Sequence, residues 1–396
     1  MRDWLIAYVK THPSIANAIW SGMRFLLRVA GIFVRIDKKS IIFSSFGGRK
    51  IDDSPKALYD RICSMEEFND WKIIWAVVEP EKYNIQRGQL IKIDTPHFFR
   101  VLLSTYVWIG NSEIDRGIRF LSPKHIRIET WHGTPLKKIC GEENRTSVEK
   151  VPTNRKMDKT TIRCSQSEYD RVIYSRIFCA DRDAILLCDL PRNDEILSYT
   201  PNKLDLIKED LNIDKNKKII LYTPTYREYL TNEKGDNRLA PPIDFKKWEI
   251  ELGEVYVLLV RAHYVVTEAM NLPKTSFVKD VSKYGSLNDL YAIADMMISD
   301  YSSTFFDYSI LDRPMFCFAY DYEEYSDKRG LYLDLEKELP CPLDRDEDAL
   351  LAHIKNVDFI KASEATRKFH EKYAPYAGHA CDLVINSLLK RLNSRK

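Results

Sequence analysis

Apolar residues fall in short, unbroken runs separated by polar stretches of helical period. Runs at 41–46, 71–78, 105–110, 126–131, 161–164 and 184–188 are too short for core helices and rich in Ile, Val and Trp, which predicts buried strands. After a polar, charged stretch near 201–218 the alternation restarts, with runs at 218–223, 255–261, 277–281, 296–299 and 314–319. Helix-like segments between the runs predict crossover connections and mainly parallel sheets. Asp53-Ser54-Pro55 opens one such segment, with Ser54 placed to cap free amides and Pro55 where it loses no hydrogen bond. The economical reading is an α/β chain of two successive units joined near residue 200.

The first 38 residues follow another pattern. Residues 1–39 carry Arg2, Lys10, Arg24, Arg28, Arg35, Lys38 and Lys39 against Asp3 and Asp37, a local net of +5; the whole chain is +2, so the remainder is −3. The same stretch is apolar, with Trp4, Leu5, Ile6, Ile15, Ile19, Trp20, Phe25, Leu26, Leu27, Ile32, Phe33 and Val34. Arg24 and Arg28 interrupt its best window, 15–34, where a membrane span needs about 20 apolar residues. The apolar stretch also starts too late and is too charged for a signal peptide. Ile15, Ile19, Met23, Leu26, Ala30 and Phe33 keep helical spacing, with Arg24 and Arg28 on another face. Two readings fit: an interfacial helix on an anionic membrane, with tryptophans and arginines at the headgroups, or a helix packed on the protein's own core.

Composition narrows the class. With 396 residues there is room for two or three domains, and 44% apolar residues with only 14 Gly and 17 Pro exclude disordered and fibrous chains. The small net charge gives no polycation, so nucleic acid is not an expected partner. The eight cysteines (63, 140, 164, 179, 188, 317, 341 and 381) contain no CxxC pair and read as mostly buried thiols of a cytoplasmic protein.

Three clusters at predicted strand ends carry candidate chemistry, where ligands of open α/β sheets bind. In Thr130-Trp131-His132-Gly133-Thr134-Pro135-Leu136-Lys137-Lys138, a strand ends at Trp131, Gly133 permits a tight turn and Thr134-Pro135 starts a helix. His132 then sits on a strand end, as a base for a hydroxyl proton or as a structural histidine in a turn. In Ile298-Ser299-Asp300-Tyr301-Ser302-Ser303-Thr304-Phe305-Phe306-Asp307, a strand runs into hydroxyl residues and a helix-like stretch over 304–311. This is a phosphate cradle without glycine, or simple serine capping. Thr223-Pro224-Thr225-Tyr226-Arg227 and Leu259-Val260-Arg261-Ala262-His263-Tyr264 each place a cation past a strand, for an anion or for a surface ion pair. There is no GxxxxGK[ST], HExxH or EF-hand pattern, and the other histidines lack metal-ligand spacing.

Residues 131–137, Pro191-Arg192-Asn193-Asp194, Tyr222-Thr223-Pro224-Thr225-Tyr226-Arg227, Ser299-Asp300-Tyr301-Ser302-Ser303 with Phe306-Asp307, and Tyr320-Asp321 with Tyr325 together resemble the CDP-glycerol glycerophosphotransferase family, in order from about 41 to 382. The family includes wall teichoic acid primases and polymerases and capsule-polymer enzymes. The resemblance implies a GT-B-like fold of two Rossmann-like domains facing a cleft: an acceptor domain over 39–200, a CDP-donor domain over 201–370, and a helix over 371–396 packing back across both. A basic amphipathic segment over 1–38 agrees with peripheral attachment to the cytoplasmic face of the cell membrane, a family trait.

The resemblance also implies the reaction. An acceptor hydroxyl, on a lipid-linked saccharide or polyol phosphate, attacks the glycerol-bearing phosphate of CDP-glycerol and CMP leaves. His132 would be the general base and His263 a donor-phosphate contact or acid. Thr225, Ser302, Ser303 and Thr304 would hold the donor, Arg227 and Arg261 would neutralise phosphate charge, and Asp307 would bind ribose or orient the serines. Gly47, Gly133, Thr134 and Lys137 fall on the acceptor side. A diphosphate donor admits Mg²⁺, although no carboxylate cluster demands it. The chain departs from the family pattern at Arg261-Ala262-His263, where Lys-Leu-His is frequent, and at Leu339-Pro340-Cys341-Pro342, where Pro-Gly-Pro is common. Little sequence precedes the catalytic region as a whole, which favours a short primase-like or capsule-type enzyme. The alternatives are CDP-ribitol as donor, a GT-B glycosyltransferase using a sugar nucleotide, and a non-catalytic membrane-associated assembly protein.

Overall fold

A computed structural model describes residues 13–120, 122–143, 158, 161–225, 227, 240–262 and 270–394. Two parallel sheets organise them. The first has the order β3-β2-β1-β4-β5-β6-β7, from β1 (Asp37–Ser44), β2 (Lys72–Val77), β3 (Gln89–Lys92), β4 (Thr105–Gly110), β5 (Ile126–Glu129), β6 (Thr161–Ser165) and β7 (Ile185–Leu187). The second has the order β10-β9-β8-β11-β12-β13, from β8 (Lys218–Thr223), β9 (Tyr256–Val260), β10 (Val278–Asp280), β11 (Met296–Ser299), β12 (Met315–Phe318) and β13 (Leu343–Asp344). Every ladder in both sheets is parallel.

Unbroken apolar runs make such sheets because both faces are covered while side chains alternate. Ile41, Phe43, Ile73, Trp75, Val107 and Ile109 fill one core, and Ile42, Ile74, Ala76 and Trp108 fill the core on the other face. The second sheet repeats this with Ile219, Leu221, Val257 and Leu259 against Ile220, Tyr222, Leu258 and Val260. In each sheet the strand order reverses beside the first strand, β1 or β8. The carboxyl ends of β1/β4 and β8/β11 therefore open onto crevices, where α/β sheets bind ligands.

The last two long helices tie the halves together. Phe369 and Tyr373 of the helix Phe359–Tyr373 pack on Phe306 of the second half and Tyr169 of the first. Asp194 accepts from the amides of Ala380 and Cys381 at 2.8 and 2.7 Å, capping the helix Ala380–Ser394. Val384, Ile385 and Leu388 of that helix then enter the core of the first sheet.

Several expectations need correction. The edge strand β3 and the two-residue β13 were not in the predicted set. The strand before His132 ends at Glu129 rather than Trp131. No helix starts at Thr134-Pro135: Lys137 forms an antiparallel bridge with Leu331, Lys138 N–H donates to Gly330 O at 3.0 Å, and Tyr332 N–H to Leu136 O at 2.9 Å. The backbone amides a helix would use are spent on a strap between the halves. The cap before Ser54 is Asp52, and the helix there is Asp53–Cys63. The cysteines are free thiols, four of them buried.

The N-terminal helix spans Pro13–Phe33. Met23 and Leu27 pack on the body, while Phe25, Leu26, Ile32 and Phe33 are exposed. Arg24 Nε donates to Ile118 O at 2.6 Å and Arg28 Nη2 to Arg119 O at 3.2 Å, so both arginines pin the helix to the first half instead of standing free on an outer face. Arg2, Lys10, Trp4, Leu5 and Ile6 lie outside the described residues. Among the described residues no helix is long and apolar enough to cross a membrane.

Candidate active site

The first crevice is built around His132. Its Nδ1 lies 2.8 Å from the backbone carbonyl of Asn111, just past β4. A carbonyl only accepts, so Nδ1 is the donor here, and in the neutral ring the lone pair then lies on Nε2. The ring stacks on Trp131 with centroids 4.3 Å apart and meets Phe46 at 5.9 Å. Trp131 turns the chain with φ 55°, a left-handed value costing about 1–3 kcal/mol in a non-glycine residue. Asn111 is buried, and its side-chain oxygen accepts from Phe46 N–H at 2.7 Å, so one residue orients both the imidazole and the turn after β1. In that turn Gly47 (φ 65°) donates through its N–H to Ser112 Oγ at 3.0 Å.

The neighbouring residues of the motif are fixed by partners. Gly133 O accepts from Tyr174 OH at 3.0 Å, and buried Thr134 donates its hydroxyl to Gln166 Oε1. Lys137 lies in the strap, its Nζ 5.8 Å from the Tyr325 ring centre.

The second crevice is lined by hydroxyls past β8 and β11. Ser299 Oγ donates to Thr223 O at 2.9 Å, and Thr304 Oγ1 lies 3.2 Å from Ser299 Oγ. Ser302 Oγ accepts from Thr304 N–H at 3.3 Å, which uses one amide of the short helix Thr304–Ser309. Ser303 Oγ has no hydrogen-bond partner among the described residues. Thr225 donates its N–H to Asp300, and its buried hydroxyl has no partner among the described residues. Arg261 donates to Tyr284 O at 2.7 Å and has no ion pair among the described residues; burial lowers its pKa.

Arg227 differs. Its guanidinium is fully buried, donating to Asp300 Oδ2 and, through two nitrogens, to Asp321, each bond 2.8 Å. The rings of Tyr301, Tyr320 and Tyr325 surround it at 4.9–5.2 Å. With two carboxylates already on it, this cation is a scaffold element, and the expected phosphate role has no geometric support. Asp307 departs from its expected role too. Its Oδ2 accepts from Arg192 Nη2 at 2.8 Å and its Oδ1 from Asn193 Nδ2 at 3.0 Å, and neither partner is a serine. His263 lies outside the described residues.

The halves meet at the site. A Cβ added to Gly133 (φ 153°) would stand 2.6 Å from Ser303 Oγ, so the His132 loop and the hydroxyl turn touch. Arg192 sits beside this contact, donating to Asp53 Oδ2 at 2.5 Å and to His132 O at 3.0 Å as well as to Asp307. Burial alone would raise the Asp53 pKa, yet Arg192 holds it below the usual carboxylate range. Beneath lies Asp189, which accepts from Gln166 Nε2 at 2.7 Å and Asn193 Nδ2 at 3.1 Å; burial pushes its pKa up to about 7. Sequence reasoning assigned no role to Asn111, Asp53, Arg192 or Asn193. Their signal was present for Arg192 and Asn193, which stand inside a family motif. Among the described residues no group of three or more His, Cys, Asp or Glu could hold a metal ion.

This is a protein of two parallel α/β sheets in which the loop of an oriented imidazole touches a hydroxyl-rich turn of the other half. Residues 26–390 match the family of CDP-Glycerol:Poly(glycerophosphate) glycerophosphotransferases, and the chain belongs to that family. It is 32% identical over 370 residues to the teichoic acid glycerol-phosphate transferase of Staphylococcus aureus, covering 89% of this chain and 94% of that one. It is also 32% identical over 374 residues to the teichoic acid poly(glycerol phosphate) polymerase of Staphylococcus epidermidis, covering 90% of this chain but about half (51%) of the polymerase. A solved structure of the wall teichoic acid polymerase TagF, a variant soaked with CDPG, superposes with a TM-score of 0.83 and 28% identity, covering 99% of both chains.

Proposed function

We propose that the chain transfers glycerol phosphate from CDP-glycerol to a hydroxyl of a lipid-linked saccharide or polyol-phosphate acceptor, releasing CMP, in teichoic acid or capsule-type polymer synthesis. The observation that carries this reading is the Asn111–His132 hydrogen bond, which orients the imidazole through Nδ1, one residue before the Gly133–Ser303 contact. The architecture reads as GT-B-like, with an acceptor side on the first sheet and a donor side on the second. His132 Nε2 takes the proton of the acceptor hydroxyl as its oxygen attacks phosphorus. The bond from that phosphorus to the bridging oxygen breaks, and CMP leaves with the electron pair. Ser302, Ser303, Thr304, Thr225 and Arg261 hold the diphosphate, and His263 contacts it or protonates the leaving oxygen. Phosphoryl transfer depends mainly on such positioning and charge stabilisation.

The test is CMP release and mass gain of a lipid-linked disaccharide with CDP-glycerol, run beside CDP-ribitol and UDP-sugars. His132→Ala should lower the rate about 10²–10⁴-fold with donor affinity retained. Undiminished turnover in that variant removes His132 from the mechanism, and preference for CDP-ribitol or a UDP-sugar transfers the reading to that donor.

The exposed apolar side chains of the helix Pro13–Phe33 support peripheral attachment to an anionic membrane surface. Because Arg24 and Arg28 bind backbone carbonyls of the body, insertion of Phe25, Leu26, Ile32 and Phe33 carries the attachment. Replacing these four with Ser should abolish co-flotation with anionic vesicles, and unchanged flotation would refute it.

A further inference from the structure

One guanidinium spans three segments of the site. Arg192 follows β7, in the turn Pro191–Leu197, and its side chain is 16% exposed. Its Nη1 reaches Asp53, at the start of the helix after β1, and the carbonyl of His132 in the base loop. Its Nη2 reaches Asp307, in the helix that follows the hydroxyl turn of the second half. Its own backbone is anchored as well, the carbonyl accepting from Asn288 Nδ2 at 2.8 Å. Asp53 and Asp307 are almost wholly buried, so neither carboxylate has water to replace the arginine.

We propose that Arg192 is a positioning residue of the transfer reaction, clamping the His132 loop of the first half onto the hydroxyl turn of the second so that base and donor phosphate meet in register. The inference rests on the transfer reaction proposed above. A planar fork suits this role, because three acceptors lie in different directions around one group; a lysine ammonium reaches them less well. The clamp is also adjacent to the closest approach of the halves, since Arg192 Nη2 lies 3.8 Å from the position of a Gly133 Cβ. Two carboxylates already neutralise Arg192, which separates it from Arg261, whose charge is open to the donor. Its effect on the chemistry is therefore on alignment, where a displacement of about 1 Å costs roughly 10²-fold in rate.

The experiment compares Arg192→Lys, Arg192→Met and Asp53→Asn with the unaltered full chain. It measures melting temperature, CDP-glycerol affinity by calorimetry, kcat for CMP release, and amide hydrogen exchange at 131–134 and 301–304. The expected result is donor affinity within about threefold of the unaltered protein and kcat reduced roughly 10²-fold in Arg192→Met. Arg192→Lys should restore part of that rate, and exchange should quicken at both loops together. A folded Arg192→Lys with full kcat overturns the proposal, as does donor affinity falling in step with kcat. Should both arginine variants fail to fold, Asp53→Asn decides, and full kcat with unchanged exchange overturns the clamp. Absence of CMP release by the unaltered protein would instead overturn the transfer reading, while the exchange measurement still judges the clamp.

Discussion

Arg227 decides what a strand-end cation does in this fold. It lies between Asp300 and Asp321, with relative exposures of 1% for Arg227, 0% for Asp300 and 9% for Asp321. Arg227→Met keeps an apolar stem among Tyr301, Tyr320 and Tyr325 but strands two buried carboxylates. Breaking a buried pair from one side costs about 3–5 kcal/mol. For a domain of 150–250 residues each kcal/mol moves the melting temperature by roughly 2–4 °C, so the variant should melt roughly 6–20 °C lower. Asp321→Asn in the same chain should return part of that loss, since the second change removes a charge that the first left unpaired. Calorimetric melting of the three proteins measures this, and donor titration of the folded fraction at low temperature completes the assay. CDP-glycerol affinity per folded molecule should be nearly unchanged. An Arg227→Met protein that melts like the unaltered one yet has lost more than tenfold in donor affinity would refute the scaffold argument and return Arg227 to the phosphate.

Gly133→Ala places a methyl 2.6 Å from Ser303 Oγ at φ 153°; CMP release should fall roughly 10²-fold, and a turnover equal to the unaltered protein would show that the halves do not meet there. Asp189, with its folded pKa raised from 3.8 to about 7, adds stability that is complete below pH 3.8 and lost as pH rises to about 7. Asp189→Asn should flatten that fall in denaturant-derived stability between about pH 4 and 7, and an identical slope in the variant would show that another group carries it.

Strand positions were legible because a parallel sheet buried on both faces demands continuous apolar runs. The stretches 105–110, 218–223 and 296–299 are strands over those residues in the structure. The prediction overran at Phe46, Trp131 and Ala319, where the chain stays apolar after the ladder has ended; hydrophobicity reports burial and not hydrogen bonding. It missed β3 because an edge strand with half its residues at the surface has no such run. The helix expected at Thr134-Pro135 failed for a tertiary reason. A local cap signal was present, but the amides that follow pair with residues 330–332, nearly two hundred positions away.

The same distance explains what was and was not readable in the site. His132, Gly133 and Ser303 lie in recognisable motifs, but that Gly133 touches Ser303 depends on how two sheets face each other. Arg227 and Arg261 look alike in sequence, each a basic residue past a buried strand of the second sheet. Their difference comes from carboxylates at 300 and 321, which close on Arg227, while among the described residues Arg261 donates to the carbonyl of Tyr284 and meets no acid. A cation held by two acids is tied to the fold, whereas one that meets no acid among the described residues has charge that the proposed donor role can use. Asp307 obeys the same rule from the acidic side: its charge is taken by an arginine 115 positions earlier, so it joins the halves rather than reaching for a substrate.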